Sequence, residues 1–383
     1  KLLSVGGRRV ATGKDFDETT GKLAAAKADK GDGVFLLEEK AAKALVEKLQ
    51  SQPFKVINVE EKPLTQRPSP PFITSTLQQE SNRKLGMSSR ETMRTAQSLY
   101  EQGFITYMRT DSPSLSGEAI RAARDLVEEL YGKEYLFEEV RQYSAKNKGA
   151  QEAHEAIRPA GSTFQHPKET GLSGRELALY ELIWKRTMAT QMAEAKKLSM
   201  SAKIESGDSV FNATGTRILF PGFLRVYVEG SDDPEGALED REVVLPEMKV
   251  GDAIKARRLE PLSHETKPPA RYTEASIIQM LEKEGIGRPS TYASIIDTVF
   301  DRGYVRKVGN ALVPTFTGFA VTQFLERHFE TVVDLGFTSK MEQALDDIAE
   351  GKLDYLPYLK SFYLGKTGLR TQVAEREKKI GPD

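Results

Sequence analysis

Three residues able to act on a phosphodiester lie two positions apart after a glycine that ends a helical pattern. Tyr107, Arg109 and Asp111 follow Gly103, and in an extended segment residues two apart share one face. A tyrosyl oxygen, with a free pKa of about 10, is a poor nucleophile, so its attack on phosphorus needs a cation nearby. Arg109 meets that need. Taken alone, however, such a segment is more often a buried wing strand beside a surface ion pair.

A second segment, residues 151–159, places a histidine among charged side chains. His154 is flanked by carboxylates and followed by Arg158 and Pro159. At this loop-like position the histidine could hydrogen-bond a phosphate. Because a lone histidine is usually structural, the segment indicates chemistry only in combination with the others.

A third segment, residues 284–292, has two glycines directly before a predicted helix start. The glycines allow close backbone approach, and Arg288 with an N-cap at Ser290 or Thr291 would present a helix N-terminus to an anion. The pattern predicts a phosphate-binding turn, although glycine-rich helix starts are common in proteins that bind no phosphate.

The composition narrows the chemistry that is possible. The chain has no cysteine and four histidines, which excludes disulfides, thiolate zinc sites, iron–sulfur clusters and a cysteine nucleophile. Lys+Arg number 55 against 56 Asp+Glu, so only local basic patches could attract a polyanion. The longest apolar runs, such as 34–37, are far shorter than the roughly 20 residues of a membrane helix. We expect a soluble intracellular protein with no membrane partner and no zinc in this chain.

The elements that must position these residues follow an α+β pattern. Period-2 alternation predicts strands and a 3.6-residue period predicts helices. The predicted strands are 2–10, 53–59, 197–205, 210–219 and 242–245. The predicted helices are 41–49, 74–85, 88–102, 116–131, 173–195 and 338–349. The proline-rich run 62–71 is interpreted as a hinge or a crossing between domains, with a domain boundary near Arg67.

One pattern occurs twice in the chain. Residues 97–105 and 297–305 share a helix end, an acidic residue, a glycine, an aromatic residue and a β-branched residue. Each indicates the second helix of a helix-turn-helix followed by a wing strand. Basic residues near both repeats would suit phosphate contacts. An ordinary helix-glycine-strand packing unit explains the repeat equally well.

The segments together, in this order, resemble the type IA DNA topoisomerases, and among them the bacterial topoisomerase I branch. The resemblance runs over essentially the whole chain. Its motifs are Pro71–Gln78, Ile105–Ser112, Glu152–Pro159, Lys267–Ser276, Gly285–Tyr292 and Phe337–Glu342.

The resemblance implies roles for single positions. Tyr107 would attack one DNA strand and hold its 5′ phosphate as a phosphotyrosine ester, Arg109 would stabilise charge, and His154 would support the scissile-phosphate network. Because the ester keeps the bond energy, resealing needs no ATP, and the implied activity is relaxation of negatively supercoiled DNA through strand passage and religation. The positions implied to contact DNA are Gln97, Glu101, Thr106, Thr110, Asp111, Arg158, Ile286, Arg288 and Thr291.

The resemblance also implies a multidomain α+β fold, the type IA topoisomerase toroid. Residues 1–66 and 194–260 would form an arch of strands. Residues 67–193 would form the helical domain that carries the tyrosine, and 261–383 a helical DNA-binding domain. Both helical domains are expected to be winged-helix-like.

Family members carry an acidic Toprim domain that binds magnesium, and its motif is not found here. Asp15-Phe16-Asp17-Glu18 imitates that motif, but no buried apolar strand precedes it, so we predict a surface turn without metal. The chain begins at Lys1 with sequence typical of the middle of a domain. We expect a fragment lacking the Toprim domain and the C-terminal zinc-binding repeats. It would carry the nucleophile, have no metal site, and depend on the Toprim domain and its Mg²⁺ for efficient cleavage.

Two rival classes stay open. A non-enzymatic single-stranded DNA-binding module would use Tyr107 as a stacking platform. A topoisomerase III or reverse gyrase type of enzyme is disfavoured by Met108, because those enzymes usually carry proline or another residue there. The expected partner is single-stranded or negatively supercoiled DNA, and the expected state is a monomer in the cytoplasm, associated with the nucleoid.

Overall fold

Two compact units make up the chain in the computed structural model, which describes residues 1–17, 19–23, 33–144, 155–232 and 245–377. The first unit contains Lys1–Arg67, Glu194–Arg225 and Asp233–Ala270, and the second contains Pro68–Ala193, Val226–Asp232 and Arg271–Asp383. Strands dominate the first unit and helices the second, so the predicted α+β fold class is confirmed. Of the predicted strand 242–245, only Leu245 is among the described residues, and it lies outside regular structure.

The first unit is built on a six-stranded antiparallel sheet with the order β2-β1-β5-β4-β3-β6. Its strands are β1 Leu2–Val5, β2 Arg8–Arg9, β3 Phe54–Gln66, β4 Ala195–Ser206, β5 Ser209–Phe220 and β6 Ala253–Ile254. Strands β4 and β5 form a hairpin whose two-residue turn begins at Gly207 with φ +59°. A left-handed first turn residue matches the twist of the flanking strands, which explains the glycine. Helix α1, Glu39–Gln50, contributes the buried Leu49.

Strand β3 runs through half of the predicted hinge. It continues to Gln66, and Pro63 pairs with Leu198 of β4. On its other side β3 pairs with β6 at Phe54 and Lys55. Proline is tolerated in a strand where its missing N–H faces an open edge, so the prediction of a hinge was wrong for residues 62–66. The predicted strand 2–10 is instead a hairpin, because the glycines between β1 and β2 have positive φ.

The second unit is helical, and three of its helices pack on one long buried helix. In chain order they are α2 Thr74–Leu85, α3 Ser89–Glu101, α4 Gly117–Tyr131, α5 Gly174–Gln191, α6 Glu274–Lys283, α7 Tyr292–Asp301, α8 Phe316–His328, α9 Glu330–Val333, α10 Leu335–Ala349, α11 Tyr355–Leu364 and α12 Leu369–Glu377. Helices α2, α3 and α4 pack on α5, which has buried residues on every side, including Trp184. The prediction for α2 is confirmed at both ends, whereas α5 stops before 195 because the chain enters β4 there.

A short segment, Val226–Asp232, is clamped by charged residues of the second unit. Glu80 of α2 is 1% exposed and accepts hydrogen bonds from the Tyr227 hydroxyl at 2.6 Å and the Gly230 amide at 3.0 Å. Burial raises the pKa of the Glu80 carboxyl, but these bonds lower it further, to below its ordinary range. Arg186 of α5, 3% exposed, pairs with Glu229 at 2.7 Å. A buried charge held this way is costly to unpair, so the clamp fixes the segment.

The repeated pattern ends two helices in the same way. After α3, Gly103 has φ +80° and its N–H bonds the Tyr100 carbonyl, while Phe104 bonds the Leu99 carbonyl. After α7, Gly303 has φ +68° and makes the equivalent pair of bonds. This is the Schellman geometry that glycine favours.

The wing that follows differs between the two copies. After α7 the hairpin of β7, Val305–Val308, and β8, Ala311–Pro314, is present as predicted. After α3 the wing strand is replaced by an extended segment with a single bridge, Ile105 to Pro159.

Gly318, in the first turn of α8, provides a test of packing. An added Cβ there would clash with the Tyr304 carbonyl, so Gly318→Ala should destabilise the chain by about 1–3 kcal/mol. Gly117 begins α4, and its added Cβ would meet the Arg121 guanidinium at an ordinary 3.7 Å; Gly117→Ala should stay within about 0.5 kcal/mol of the parent. Thermal unfolding of the two variants measures the difference. Equal melting temperatures would contradict the packing at Tyr304.

Candidate active site

A hydroxyl group fixes the backbone of the segment that carries Tyr107. The Thr74 side chain, at the first position of α2, donates to the Met108 carbonyl at 2.8 Å and accepts from the Thr110 amide at 2.9 Å. The Thr74 amide in turn donates to the Thr110 carbonyl at 2.9 Å. Thr74 is fully buried, and buried backbone groups need such partners. The segment therefore has a defined path although it belongs to no strand.

Along this path, exposed and buried side chains alternate. Tyr107, Arg109 and Asp111 are exposed, with Tyr107 at 44%, and the residues between them are buried. The prediction that the three share a face is supported by this alternation, whereas the prediction of a strand was wrong, since Ile105 alone makes a bridge. Of the predicted DNA contacts, Thr110 points inward at 2% exposure.

Residues 156–158 hold the other side of the segment. The Thr106 amide donates to the Arg158 carbonyl at 2.9 Å, and its hydroxyl donates to the Ala156 carbonyl at 2.7 Å and accepts from the Arg158 amide at 3.0 Å. Thr106 was predicted to line the DNA pocket, and here its side chain joins two chain segments. Backbone position at Tyr107 is thus set from both sides.

Arg158 is engaged by the protein. Its guanidinium makes two bonds to Glu155, both at 2.8 Å, and donates to the Pro159 and Gly161 carbonyls. It is 7% exposed. Burial raises the pKa of Glu155, but the Arg158 hydrogen bonds and the Ser116 amide lower it to below its usual range. This geometry gives Arg158 a positioning role. His154 lies outside the described residues, so its predicted role stays a prediction.

One face of α3 lies beside Tyr107. Arg94, Gln97 and Glu101 follow helical spacing and are exposed, and the Gln97 amide donates to Glu101 at 2.8 Å. Such spacing places them on one stripe. Tyr100, which the sequence reasoning missed, packs its ring against Tyr107 with centroids 5.3 Å apart and planes at 69°. The seven-residue spacing of two tyrosines across a helix-ending glycine was the available signal.

The glycine turn already holds carboxylates of α10. The Gly287 amide donates to Glu342 at 3.1 Å, and the Arg288 guanidinium bonds Asp346 at 2.5 and 3.3 Å. Partial burial lowers the pKa of Arg288, but the hydrogen bonds to Asp346 raise it above its usual value. Both donors belong to the turn that was predicted to bind phosphate.

The remaining predicted residues of this turn are partly covered. Thr291 precedes α7 as predicted, but its hydroxyl accepts from the Arg288 amide at 2.8 Å and caps no helix N–H. Ile286 is 8% exposed. Asp346 accepts two of the guanidinium hydrogen bonds that a phosphate bound by Arg288 could accept instead.

The tyrosine segment and the glycine turn influence each other electrostatically. Tyr292 is 7% exposed, and its pKa is raised to about 12, first by burial and then by the Glu282 carboxylate, with Arg288 opposing and Asp111 adding to the rise. A carboxylate acts on a tyrosine in this way only at short range. Asp111 of the tyrosine segment and Glu282 of α6 therefore act in the same direction on the Tyr292 phenol.

Several basic residues near the repeats are paired within the protein. Arg90 bonds Asp297 at 2.6 Å and Asp301 at 3.2 Å, joining α3 to α7. Lys307 pairs with Glu274 at 3.1 Å. Within the described ranges, no side-chain partner is present for Arg94, Arg109, Arg271, Arg302 and Arg306. These exposed cations are the ones free to meet phosphate.

The described residues do not form a metal centre. No group of three or more His, Cys, Asp or Glu side chains among them could hold an ion. Asp15 is buried at 3% exposure and pairs with Arg9 at 2.6 Å, so the predicted surface turn was wrong for this residue. Asp17 is exposed, and its carboxylate accepts a hydrogen bond from the Thr20 amide, as in a turn. Glu18 lies outside the described residues. Among the described helices, none is both long and apolar enough to cross a membrane.

Comparisons with known proteins agree on one family. A family model described as DNA topoisomerase matches residues 14–360. The DNA topoisomerase 1 of Synechococcus elongatus is 61% identical over 382 residues, covering all of this chain and 43% of that protein. The DNA topoisomerase 1 of Streptomyces coelicolor is 52% identical over 371 residues, covering 96% and 38%. The chain thus spans about two fifths of the length of these relatives.

A solved structure is similar as well. The full-length topoisomerase I from Thermotoga maritima superposes with a TM-score of 0.71 at 36% identity, over 85% of this chain and 53% of that one. The similarity extends to the fold.

The Glu155–Arg158 pair predicts a pH dependence. Because folding lowers the pKa of Glu155, its contribution to stability is complete above the unfolded value of about 4.5 and is lost as pH falls through the folded value. Glu155→Gln should cost about 1–2 kcal/mol at pH 7 and progressively less below pH 4.5. Urea unfolding at several pH values measures this. Glu128→Gln, at an exposed carboxylate of α4 without a side-chain partner in the described ranges, is the control; a pH-independent loss at Glu155 would contradict the pairing.

Proposed function

Because the chain belongs to the DNA topoisomerase family, we propose that it carries the tyrosine half of a type IA active site, in which Tyr107 cleaves one DNA strand. The observation that carries the proposal is the placement of Tyr107, an exposed side chain on a backbone held from both sides by Thr74 and Thr106. A nucleophile must be accessible and must also be held in place to attack in line.

The proposed reaction exchanges one ester for another. The Tyr107 phenol gives up its proton to solvent and its oxygen attacks a DNA phosphorus. The bond from phosphorus to the 3′ oxygen breaks, and that oxygen takes a proton from solvent to become a 3′ hydroxyl. The 5′ phosphate stays on the tyrosine, so the reverse reaction reseals the strand without ATP. Arg109, exposed on the same side, would stabilise the phenolate and the charge that builds on phosphorus.

The predicted contact residues divide by their position. Gln97, Glu101 and Asp111 are exposed and would meet the DNA strand directly. Thr106, Thr110 and Ile286 would shape the site from beneath. Arg288 and Thr291 would contact DNA after exchange of Asp346 for phosphate. His154 would support the scissile phosphate. We assign Arg158 a positioning role, because its backbone holds Thr106, the residue before Tyr107.

The whole activity needs more chain than is present here. We propose ATP-independent relaxation of negatively supercoiled DNA by the longer protein, with magnesium bound in a Toprim domain outside this sequence. Because the proposed magnesium site belongs to the Toprim domain, the isolated chain should cleave weakly or not at all. A monomer acting on single-stranded or negatively supercoiled DNA in the cytoplasm, associated with the nucleoid, completes the proposal.

The proposed division has three domains, whereas the second compact unit contains most of both proposed helical domains and also Val226–Asp232. Residues 1–66 and 194–260 would be the strand arch, 67–193 the tyrosine domain and 261–383 the DNA-binding domain. In support, the strands of the first unit come from 1–67 and 194–225 with a short addition from 253–254.

The rival functions differ in what they require of Tyr107. A single-stranded DNA-binding module would use Tyr107 and Tyr100 as an exposed aromatic surface and would form no covalent bond. A topoisomerase III type of enzyme is less favoured, because the relatives named above are DNA topoisomerase 1 proteins.

Covalent trapping tests the nucleophile. Single-stranded oligonucleotides labelled at the 5′ or the 3′ end are incubated with this chain, with and without magnesium and a separately supplied Toprim segment, and quenched with detergent. A chimera of the Synechococcus elongatus DNA topoisomerase 1, with this chain in place of its matching segment, is assayed in parallel. Label should join the protein only from the 3′-labelled strand, because the 5′ phosphate is retained on tyrosine, and Tyr107→Phe should abolish it.

Tyr272→Phe, at another half-exposed tyrosine, is the control and should leave the adduct unchanged. An adduct that survives Tyr107→Phe, or one carrying the 5′ label, would contradict the assignment. Salt-sensitive binding with no adduct even in the chimera would favour the binding module.

The free and paired arginines of α3 should differ in their effect on DNA binding. Arg94→Ala should reduce the salt dependence of oligonucleotide affinity by about one in the slope of log K against log salt, because one phosphate contact is lost. Arg90→Ala should leave that slope unchanged and lower the melting temperature, since Arg90 pairs with Asp297 and Asp301. Fluorescence anisotropy at several salt concentrations measures the slopes. Equal slopes for Arg94→Ala and the parent would show that DNA does not follow this face.

A further inference from the structure

Tyr100 and Tyr107 form an aromatic pair on the surface. Their ring centroids are 5.3 Å apart and their planes meet at 69°, the edge-to-face arrangement that aromatic quadrupoles favour. Tyr100 is 42% exposed and Tyr107 44%. Neither ring is part of a core, so the packing of the interior does not explain the contact.

The turn after α3 creates this pair. Tyr100 lies in the last turn of α3, and its carbonyl accepts the Gly103 amide at 2.9 Å. Gly103 has φ +80°, a backbone conformation that residues other than glycine rarely adopt. This reversal of the chain brings the ring of Tyr107, seven positions later, next to the ring of Tyr100. The same hydrogen bonds that end the helix therefore hold the two rings together.

The backbone of Tyr107 is held, but its side chain has one aromatic neighbour. Thr74 and Thr106 fix the main chain on either side. Within the described ranges, the ring that packs against Tyr107 is that of Tyr100, and no hydrogen bond to the Tyr107 hydroxyl is present. An exposed tyrosine without such a neighbour would populate more than one χ1 rotamer.

We propose that Tyr100 is a positioning residue that holds the Tyr107 phenol in one orientation for attack on DNA. This inference rests on the proposed function of Tyr107. Tyr100 acts through its ring and not through its hydroxyl, which has no partner in the described part of the chain.

The pair energy sets the size of the effect. The interaction energy of an aromatic pair in this geometry is large enough to raise the population of one Tyr107 side-chain orientation over the others by roughly three- to ten-fold. Tyr100→Leu should therefore lower the rate of adduct formation by about three- to ten-fold, with the affinity for the oligonucleotide unchanged within about two-fold. Tyr100→Phe keeps the ring and should cleave at the parental rate.

The first measurement is spectroscopic and uses this chain alone. Fluorotyrosine is placed at position 107, and its ¹⁹F signal reports the ring current of Tyr100. In Tyr100→Leu the signal should move toward that of an unpacked fluorotyrosine, and in Tyr100→Phe it should stay. Tyr363→Leu, at a tyrosine of α11 that is 51% exposed, is the matched control and should leave the signal in place. A signal that does not respond to Tyr100→Leu would overturn the geometry.

The second measurement is kinetic and uses the chimera described above. Single-turnover adduct formation gives the rate, and anisotropy gives the affinity. A loss of rate without loss of affinity, rescued by Tyr100→Phe, supports the inference. A parental rate in Tyr100→Leu would overturn the inference and indicate that Tyr100 has no role in cleavage. An equal loss of rate and affinity would also overturn it and indicate that Tyr100 stacks on a DNA base. Persistence of the adduct in Tyr107→Phe would overturn the proposed function itself, a result separable from all of these.

Discussion

The hydroxyl of Thr74 substitutes for a strand ladder along the segment of the proposed nucleophile. Residues 105–111 make a single bridge, so most of their backbone groups would lack partners in a buried setting. Thr74 accepts from Thr110 and donates to Met108, and Thr106 ties the near end to residues 156–158. Because the ties act on the backbone, the alternate side chains are left free to face solvent. Accessibility and fixed position, which usually oppose each other, are reconciled in this way.

The chain has almost no net charge, and several of its arginines are paired with carboxylates. With 55 basic and 56 acidic residues, the chain has no field that would gather DNA over a long distance. Arg90 and Arg158 are held by carboxylates within the protein, and their contribution is to structure. Arg288 is also paired with a carboxylate, Asp346. The arginines near the two glycine-ended helices that have no side-chain partner in the described part of the chain can then act locally, where each neutralised phosphate adds affinity.

The glycine turn shows how a site can be filled by the protein itself. Its amide and guanidinium donors meet Glu342 and Asp346, which stand where the proposed DNA phosphate would bind. An internal carboxylate satisfies these donors, which would otherwise carry the desolvation cost of unpaired polar groups. Exchange of carboxylate for phosphate would couple α10 to the DNA.

Periodicity and turn chemistry determined the elements, because helix and strand patterns are local properties of the chain. The helix over 74–85, the β4–β5 hairpin and both glycine-ended helices follow from the sequence. The motifs identified the family, and the alternation of 107, 109 and 111 predicted a shared face. Tertiary structure decided what each of these groups contacts: that β3 tolerates Pro63 at an open edge, that Arg158 and Arg288 are paired with carboxylates, and that Tyr100 packs on Tyr107. Spacing fixes which residues lie on one face of an element, but the partner opposite that face comes from elsewhere in the chain and depends on the fold.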